Sequence, residues 1–321
     1  MFSNIFFRLL TSCFSLVLFI LSLWTIHENF HYYNTQNIWN TLSTVPLSNI
    51  LRAIVLMSLN YAVMTGYDCL AVNYVHNTLS YSKKALVSVI CSGISNSVGF
   101  SLVSSCMIRY RLYSNWGLSA ISIAQISAFC NLTFVLGLLV IGAIIFTTNP
   151  LEIPHLLNLP FVSVQPLGVI FLLIILVYLF LTAICKEPVK IGQWTLPNLS
   201  IKIALCQLIV SALDWSLAAA VFYSILSESV SFSYSTFLEI YIFAQMAGLA
   251  SNVPGGLGIF ETVILVFLSP FISTEKIFNF LLIYRLVYYF LPLTISVLLL
   301  GQYEFKKIFF TPSSISFKEH L

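Results

Sequence analysis

The chain has 321 residues, of which 59% are hydrophobic and only 8% charged, against roughly 25% charged in soluble domains. Its mean hydropathy is +0.96, and the net charge of +3 carries little information by itself. No soluble core needs that much apolar surface, so lipid or protein must surround most side chains, and a soluble globular class is excluded.

The first apolar stretch, at about 9–27, is too long for a signal-peptide core and lacks a small-residue cleavage site, so it is expected to persist as a helix. Further stretches follow at about 51–75, 85–108, 118–147, 164–185, 199–226, 237–268 and 277–301. Several reach the ~20 residues that a helix needs to cross the hydrocarbon. Two of the eight differ from lipid-facing helices. Segment 85–108 holds seven serines, Gly93, Asn96 and Gly99. Segment 237–268 breaks at Asn252-Val253-Pro254-Gly255-Gly256-Leu257-Gly258, where Pro removes a backbone donor and Gly frees the chain. Irregular backbone at membrane depth survives only inside protein or along a wet cavity, so both segments are expected to be re-entrant hairpins.

The distribution of Lys and Arg decides between eight crossings and fewer. With eight full spans and the N-terminus inside, six basic residues are cytoplasmic and seven are outside, which is no bias. With the two odd segments entering and leaving on one side, eleven are cytoplasmic, and only Arg52 and Lys276 lie outside. The expected fold is therefore an all-α integral membrane protein, a polytopic helical bundle of about six crossings plus two re-entrant hairpins. Both termini are cytoplasmic in this scheme. It also allows a single membrane domain built as an inverted repeat, with halves at about 1–148 and 164–305 and a short cytoplasmic tail at 302–321.

Asp68 and Asp214 are the only aspartates, each within an apolar span. An ionised carboxylate there costs ~2.5–3.5 kcal/mol on insertion scales. Each is either a headgroup-contacting or proton-carrying group or an anchor between helices. Arg285 also lies within a span; it either clamps a lipid phosphate or pairs with Asp214 or Glu261 to hold the outer hairpin. The Pro254–Gly258 loop opens a half-helix whose positive dipole end suits an anion, although Glu261 in its first turn can satisfy the same amides. Asn252 is a cap or a headgroup contact, and Asn96 marks the corresponding break in the first hairpin.

Seven cysteines sit in apolar segments without a CxxC pair and read as packing residues. The 27 Phe, 16 Tyr and 5 Trp need no cofactor, and Trp24, Trp39, Trp116 and Trp194 fall near span ends, where interfacial belts form. His27 and His31 have no evident third ligand, so neither metal nor cofactor is expected.

The most specific string, Ser251-Asn252-Val253-Pro254-Gly255-Gly256-Leu257-Gly258-Ile259-Phe260-Glu261, is followed by Tyr284-Arg285-Leu286-Val287-Tyr288-Tyr289-Phe290-Leu291-Pro292. Upstream are Tyr67-Asp68 and Arg109-Tyr110-Arg111-Leu112-Tyr113. In order and spacing, over nearly the whole chain, these resemble the membrane domain of the lysylphosphatidylglycerol synthase/flippase family. That resemblance implies a flippase-like domain in a bacterial inner membrane, without the soluble domain that aminoacylates lipid, since only about 20 residues follow the last span. It also implies a lipid-phosphate role for Arg109 and Arg111, which otherwise read as interfacial anchors. The candidate substrate-binding set is Asp68, Asn96, Arg109, Arg111, Asp214, Asn252, Pro254, Gly255, Gly256, Gly258, Glu261 and Arg285. The expected partner is a phospholipid or another anionic or amphiphilic lipid, with no nucleic acid. No GxxxxGK[ST] string is present, so transport would be passive, proton-coupled or driven by a partner. The alternatives are an intramembrane aspartyl protease, for which Asp214 lacks the Gly-x-Gly-Asp context, and a scaffold that moves nothing.

Overall fold

A computed structural model describes residues 45–98, 101–148, 163–184, 187, 189–191, 194–196, 198–226, 230–251 and 258–310. In chain order the helices are α1 (Leu47–Tyr74), α2 (Tyr81–Val98), α3 (Ser101–Ser114), α4 (Ala120–Thr148) and α5 (Gln165–Ile184). After a short hairpin of β1 (Val189–Ile191) and β2 (Trp194–Leu196) come α6 (Ile201–Leu226), α7 (Tyr234–Ala250), α8 (Ile259–Leu268), α9 (Thr274–Arg285) and α10 (Leu291–Phe310). Strands β1 and β2 pair antiparallel, Lys190 opposite Thr195, and are the one departure from an all-α fold among the described residues.

Five helical stretches among the described residues are long and apolar enough to cross a membrane: α1, α4, α5, α6 and the run Thr274–Lys307. These are five of the six crossings expected from sequence; the sixth, at about 9–27, lies outside the described residues. Helix α5 is the most apolar of these, with mean hydropathy 3.0 over its most apolar 18 residues, of which only 17% are buried. Ile170, Leu173, Val177, Phe180 and Ile184 lie exposed along it, as a lipid-facing surface requires.

Both segments expected to be hairpins are built as pairs of helices. In the first, Cys91 Sγ reaches Ser105 O at 3.6 Å across the α2–α3 pair. Its serines serve packing. Ser88 Oγ donates to Met64 O of α1 at 2.8 Å, and Ser296 Oγ of α10 donates to Val89 O at 2.9 Å. A Cβ on Gly93 would stand 2.8 Å from Pro292 O. Small residues thus let this hairpin nest against α1 and α10, the packing mode available where lipid supplies no hydrophobic drive. At its mouth, Lys83 lies over the Trp116 ring at 5.2 Å, Trp116 meets Tyr303 edge-on, and Lys307 Nζ donates to Asn115. The start of α2 and the end of α3 therefore share one face with the end of α10.

The second hairpin pairs α7 with the ten-residue α8, with Phe243 and Phe267 edge-on across it. Phe232 before α7 meets Phe271 after α8 at 5.4 Å, so this hairpin also returns to the face it leaves. Ser233 caps α7 by accepting the Thr236 N–H. Each hairpin anchors its own apolar cluster. Ile90, Ile94, Leu112, Ile126 and Leu293 pack around the first, and Phe222, Phe237, Phe260, Ile264 and Phe280 around the second.

Sequence reading treats 277–301 as one uniform span, but a π-helical turn at Leu286–Phe290 divides it. The Leu291 N–H reaches back to Leu286 O, one residue further than in an α-helix. Pro292 then sits in the first turn of α10, where its missing N–H costs little. The turn swings Tyr288 toward α1 and leaves Tyr289 over Arg285.

Candidate functional site

Three buried polar groupings run through the bundle. In the first, Asp68 of α1 is fully buried and Arg109 of α3 is 4% exposed. Arg109 Nε and Nη2 each donate to a separate Asp68 oxygen at 2.9 Å, a bidentate fork. Tyr113 Oη, one helical turn on, donates to Asp68 Oδ1 at 2.8 Å.

The second centres on Asp214 of α6, 3% exposed. Asn60 of α1 donates from Nδ2 to Asp214 Oδ1 at 2.7 Å and to the Asp214 carbonyl at 2.8 Å. Tyr67 Oη donates to Asp214 Oδ2 at 2.6 Å. Tyr288 in the π turn donates to Asn60 Oδ1 at 2.9 Å, which fills the amide. Nearby, Gln207 of α6 bridges Tyr178 and Thr133.

The third joins α8 to α9. Glu261 Oε2 accepts the Gly258 N–H at 2.8 Å and closes the helix N-terminus. Gly258 holds φ +82°, a conformation that favours glycine. Glu261 Oε1 accepts from Arg285 Nε at 2.8 Å and from Nη2 as well. The guanidinium, 5% exposed, lies 4.5 Å from the Tyr289 ring centre and 5.8 Å from that of Phe260. Beside it Tyr241 and Tyr284 share a hydrogen bond at 2.8 Å, and Gln245 Nε2 donates to Tyr241 Oη.

The family model described as the lysylphosphatidylglycerol synthase TM region matches residues 9–296. The chain belongs to that family. It is 44% identical over 287 residues to the Synechocystis protein slr0712, covering 89% of each chain. With the Escherichia coli inner membrane protein YbhN it shares 30% identity over 279 residues, covering 85% of this chain and 86% of YbhN. A Staphylococcus aureus phosphatidylglycerol lysyltransferase is 24% identical over 306 residues, which are 94% of this chain and 35% of that protein. This is a multi-pass membrane protein of a bacterial membrane family, as the residue strings implied.

The structure sorts the candidates of this family member unevenly. Glu261, Gly258 and Arg285 come together, with Arg285 on Glu261 and not on Asp214. Asp68 joins Arg109, so Arg109 is no interfacial anchor; burial and a bidentate partner take it away from the surface. Arg111 is paired with Glu304 of α10 through two contacts of 2.9 Å. Asn96 is half-buried on α2. Asn252, Pro254, Gly255 and Gly256 lie outside the described residues. Asp68 and Asp214 stand in separate groupings with no shared partner among the described residues.

Sequence reasoning missed Asn60, Tyr67, Tyr288 and Glu304 as members of these groupings. Asn60 carried a signal, as an amide in the middle of the apolar run 51–75. Tyr67 and Tyr288 stood within the strings that carry the resemblance, but nothing in those strings told that their hydroxyls would meet Asp214 and Asn60, because a Tyr in a greasy span reads as bulk until its hydroxyl finds a partner.

Proposed function

We propose that the protein handles membrane lipid, moving phospholipid headgroups between leaflets without catalysing a reaction. The headgroup would enter the polar seam between two halves of the bundle while the acyl tails stay in lipid. On this reading the protein sits in the inner membrane with both termini in the cytoplasm. The observation that carries the proposal is the Gly258–Glu261–Arg285 grouping. A carboxylate occupies the end of a half-helix and a desolvated guanidinium, where a phosphate offers the same acceptor oxygens. Glu261 acts as a built-in stand-in that an incoming anionic headgroup displaces. The aromatic rings of Tyr289 and Phe260 keep the guanidinium dry and strengthen its pull on an anion. The name of the staphylococcal relative, which concerns phosphatidylglycerol, supports an anionic phospholipid as substrate class.

The protease alternative requires two carboxylates that share one proton. Asp68 is matched by Arg109, and Asp214 faces Asn60 and Tyr67; that arrangement argues against it.

The test is reconstitution into phosphatidylglycerol-containing vesicles with a fluorescent phospholipid, read by an impermeant quencher. Protein-containing vesicles should expose the inner-leaflet probe. Arg285→Gln loses charge-assisted bonds worth ~1.5–3 kcal/mol, so movement should slow about tenfold or more while the purified protein stays monodisperse. Equal quenching in protein-free and protein-containing vesicles would leave the scaffold reading in its place.

A further inference from the structure

The two aspartates within the spans are in opposite electrostatic positions. Asp68 has its charge matched by Arg109. Asp214 has no Lys, Arg or His within ion-pair distance among the described residues. The side chains that act on it are neutral: Asn60, Tyr61 and Tyr67 from α1, Tyr241 from α7, and Tyr288 from the π turn. Helices α4, α5 and α9 add no ion pair to it among the described residues. A carboxylate buried among phenols and an amide has one route to neutrality, which is to take a proton.

We propose that Asp214 is a proton-binding site whose occupancy alters the contact between α1 and α6, making the lipid movement proposed above a proton-coupled one. The donors around it suit the ionised form. Tyr288 donates to Asn60, Asn60 donates to one carboxylate oxygen, and Tyr67 donates to the other at 2.6 Å, a length typical of a hydroxyl on an anion. Every bond in this array points toward the charge. A proton on Asp214 introduces a fourth hydrogen where each acceptor already has its donor. Either Tyr67 turns its hydroxyl to accept, or Asn60 releases its hold. Both residues belong to α1, whose contact with α6 is the most extensive between helices among the described residues. Asn60 is tied in addition to the π turn that carries Tyr289 over Arg285. Protonation at Asp214 is thereby linked to the helix junction beside the headgroup grouping.

Hydroxyl groups line part of the approach to this array. Half-buried Gln245 donates to Tyr241, and Tyr241 shares a hydrogen bond with Tyr284. The Tyr284 ring stacks on Tyr288 with centroids 5.3 Å apart, and Tyr288 reaches Asn60. No electron moves: a proton from water on one side adds to the carboxylate and leaves to water on the other.

Infrared difference spectra of the purified protein between neutral and acidic buffer test the site. Wild type should gain a component of the protonated-carboxyl stretching band that is lost in Asp214→Asn and kept in Glu304→Gln. An acid-induced band unchanged in Asp214→Asn overturns the proposal. Should Asp214→Asn fail to fold, Tyr67→Phe removes one donor to the carboxylate and should shift the midpoint of the band to higher pH; an unmoved midpoint overturns it equally. In vesicles, an imposed pH gradient should accelerate lipid movement by wild type, and a protonophore should cancel the acceleration. Movement indifferent to the gradient overturns the coupling and leaves the lipid reading intact. An Asp214 band without any lipid movement supports the proton site and sinks the lipid reading.

Discussion

The Asp68–Arg109 pair illustrates how an ion pair inside a bundle acts on stability. Neither group reaches water, and the Coulomb attraction mainly offsets the desolvation of both. Removing one partner leaves the other uncompensated, so Asp68→Asn should cost about 3–5 kcal/mol, measurable by denaturant unfolding in detergent. Adding Arg109→Met should recover part of that loss, because the orphaned charge disappears with it. Arg111–Glu304 is built with the same fork but at 16% and 25% side-chain exposure. Glu304→Gln should accordingly cost only ~0.2–1 kcal/mol. Equal losses in the two pairs would refute the burial argument. At this scale the sequence was partly legible. Asp68 and Asp214 stood out as costly charges, and Glu261 was a named partner for Arg285. The union of Asp68 with Arg109, 41 positions apart, was hidden, since apolar periodicity says which face is buried and nothing about which charges meet there.

Among the elements, close backbone approach governs packing. Helix α4 crosses α6 at Gly137, where a Cβ would lie 2.6 Å from Ser211 O, Ser211 Cβ and Trp215 Cδ1. A backbone oxygen cannot rotate away, so Gly137→Ala should destabilise by about 1–3 kcal/mol through overpacking. Gly301 in α10 has nothing within 4 Å of the same virtual atom. Gly301→Ala should be neutral or stabilising by up to ~1 kcal/mol, the usual helix preference for Ala over Gly. Thermal midpoints of the two variants, measured side by side, should move in opposite directions or with only the first moving. The hairpins were legible as elements, because the Pro-Gly run and the serine-rich run disagree with a lipid-facing helix. The π turn was not, because Leu286–Phe290 is as apolar and helical in pattern as its flanks, and only the tertiary pull of Tyr288 on Asn60 distinguishes it.

For the whole molecule, the proposed orientation rests on the basic residues and on which helix ends meet. Lys83, Trp116, Asn115, Tyr303 and Lys307 gather at one face, so the mouth of the first hairpin and the end of α10 share a side of the membrane. Arg109 is buried and drops out of the surface count, which leaves ten basic residues to two in the proposed topology. The proposed orientation makes it cytoplasmic. A cysteine placed at Ser114, at the end of α3, or at Lys190, in β1, should then resist an impermeant maleimide in intact cells and react after permeabilisation. Lys276→Cys, at the start of α9, should react in intact cells and confirms that the reagent arrives. Labelling of Ser114→Cys and Lys190→Cys from outside, with Lys276→Cys labelled as well, would put all three on one side of the membrane, as eight full crossings require. That outcome would sink the scheme of six crossings and two hairpins and, with it, the side from which a headgroup or a proton is proposed to enter.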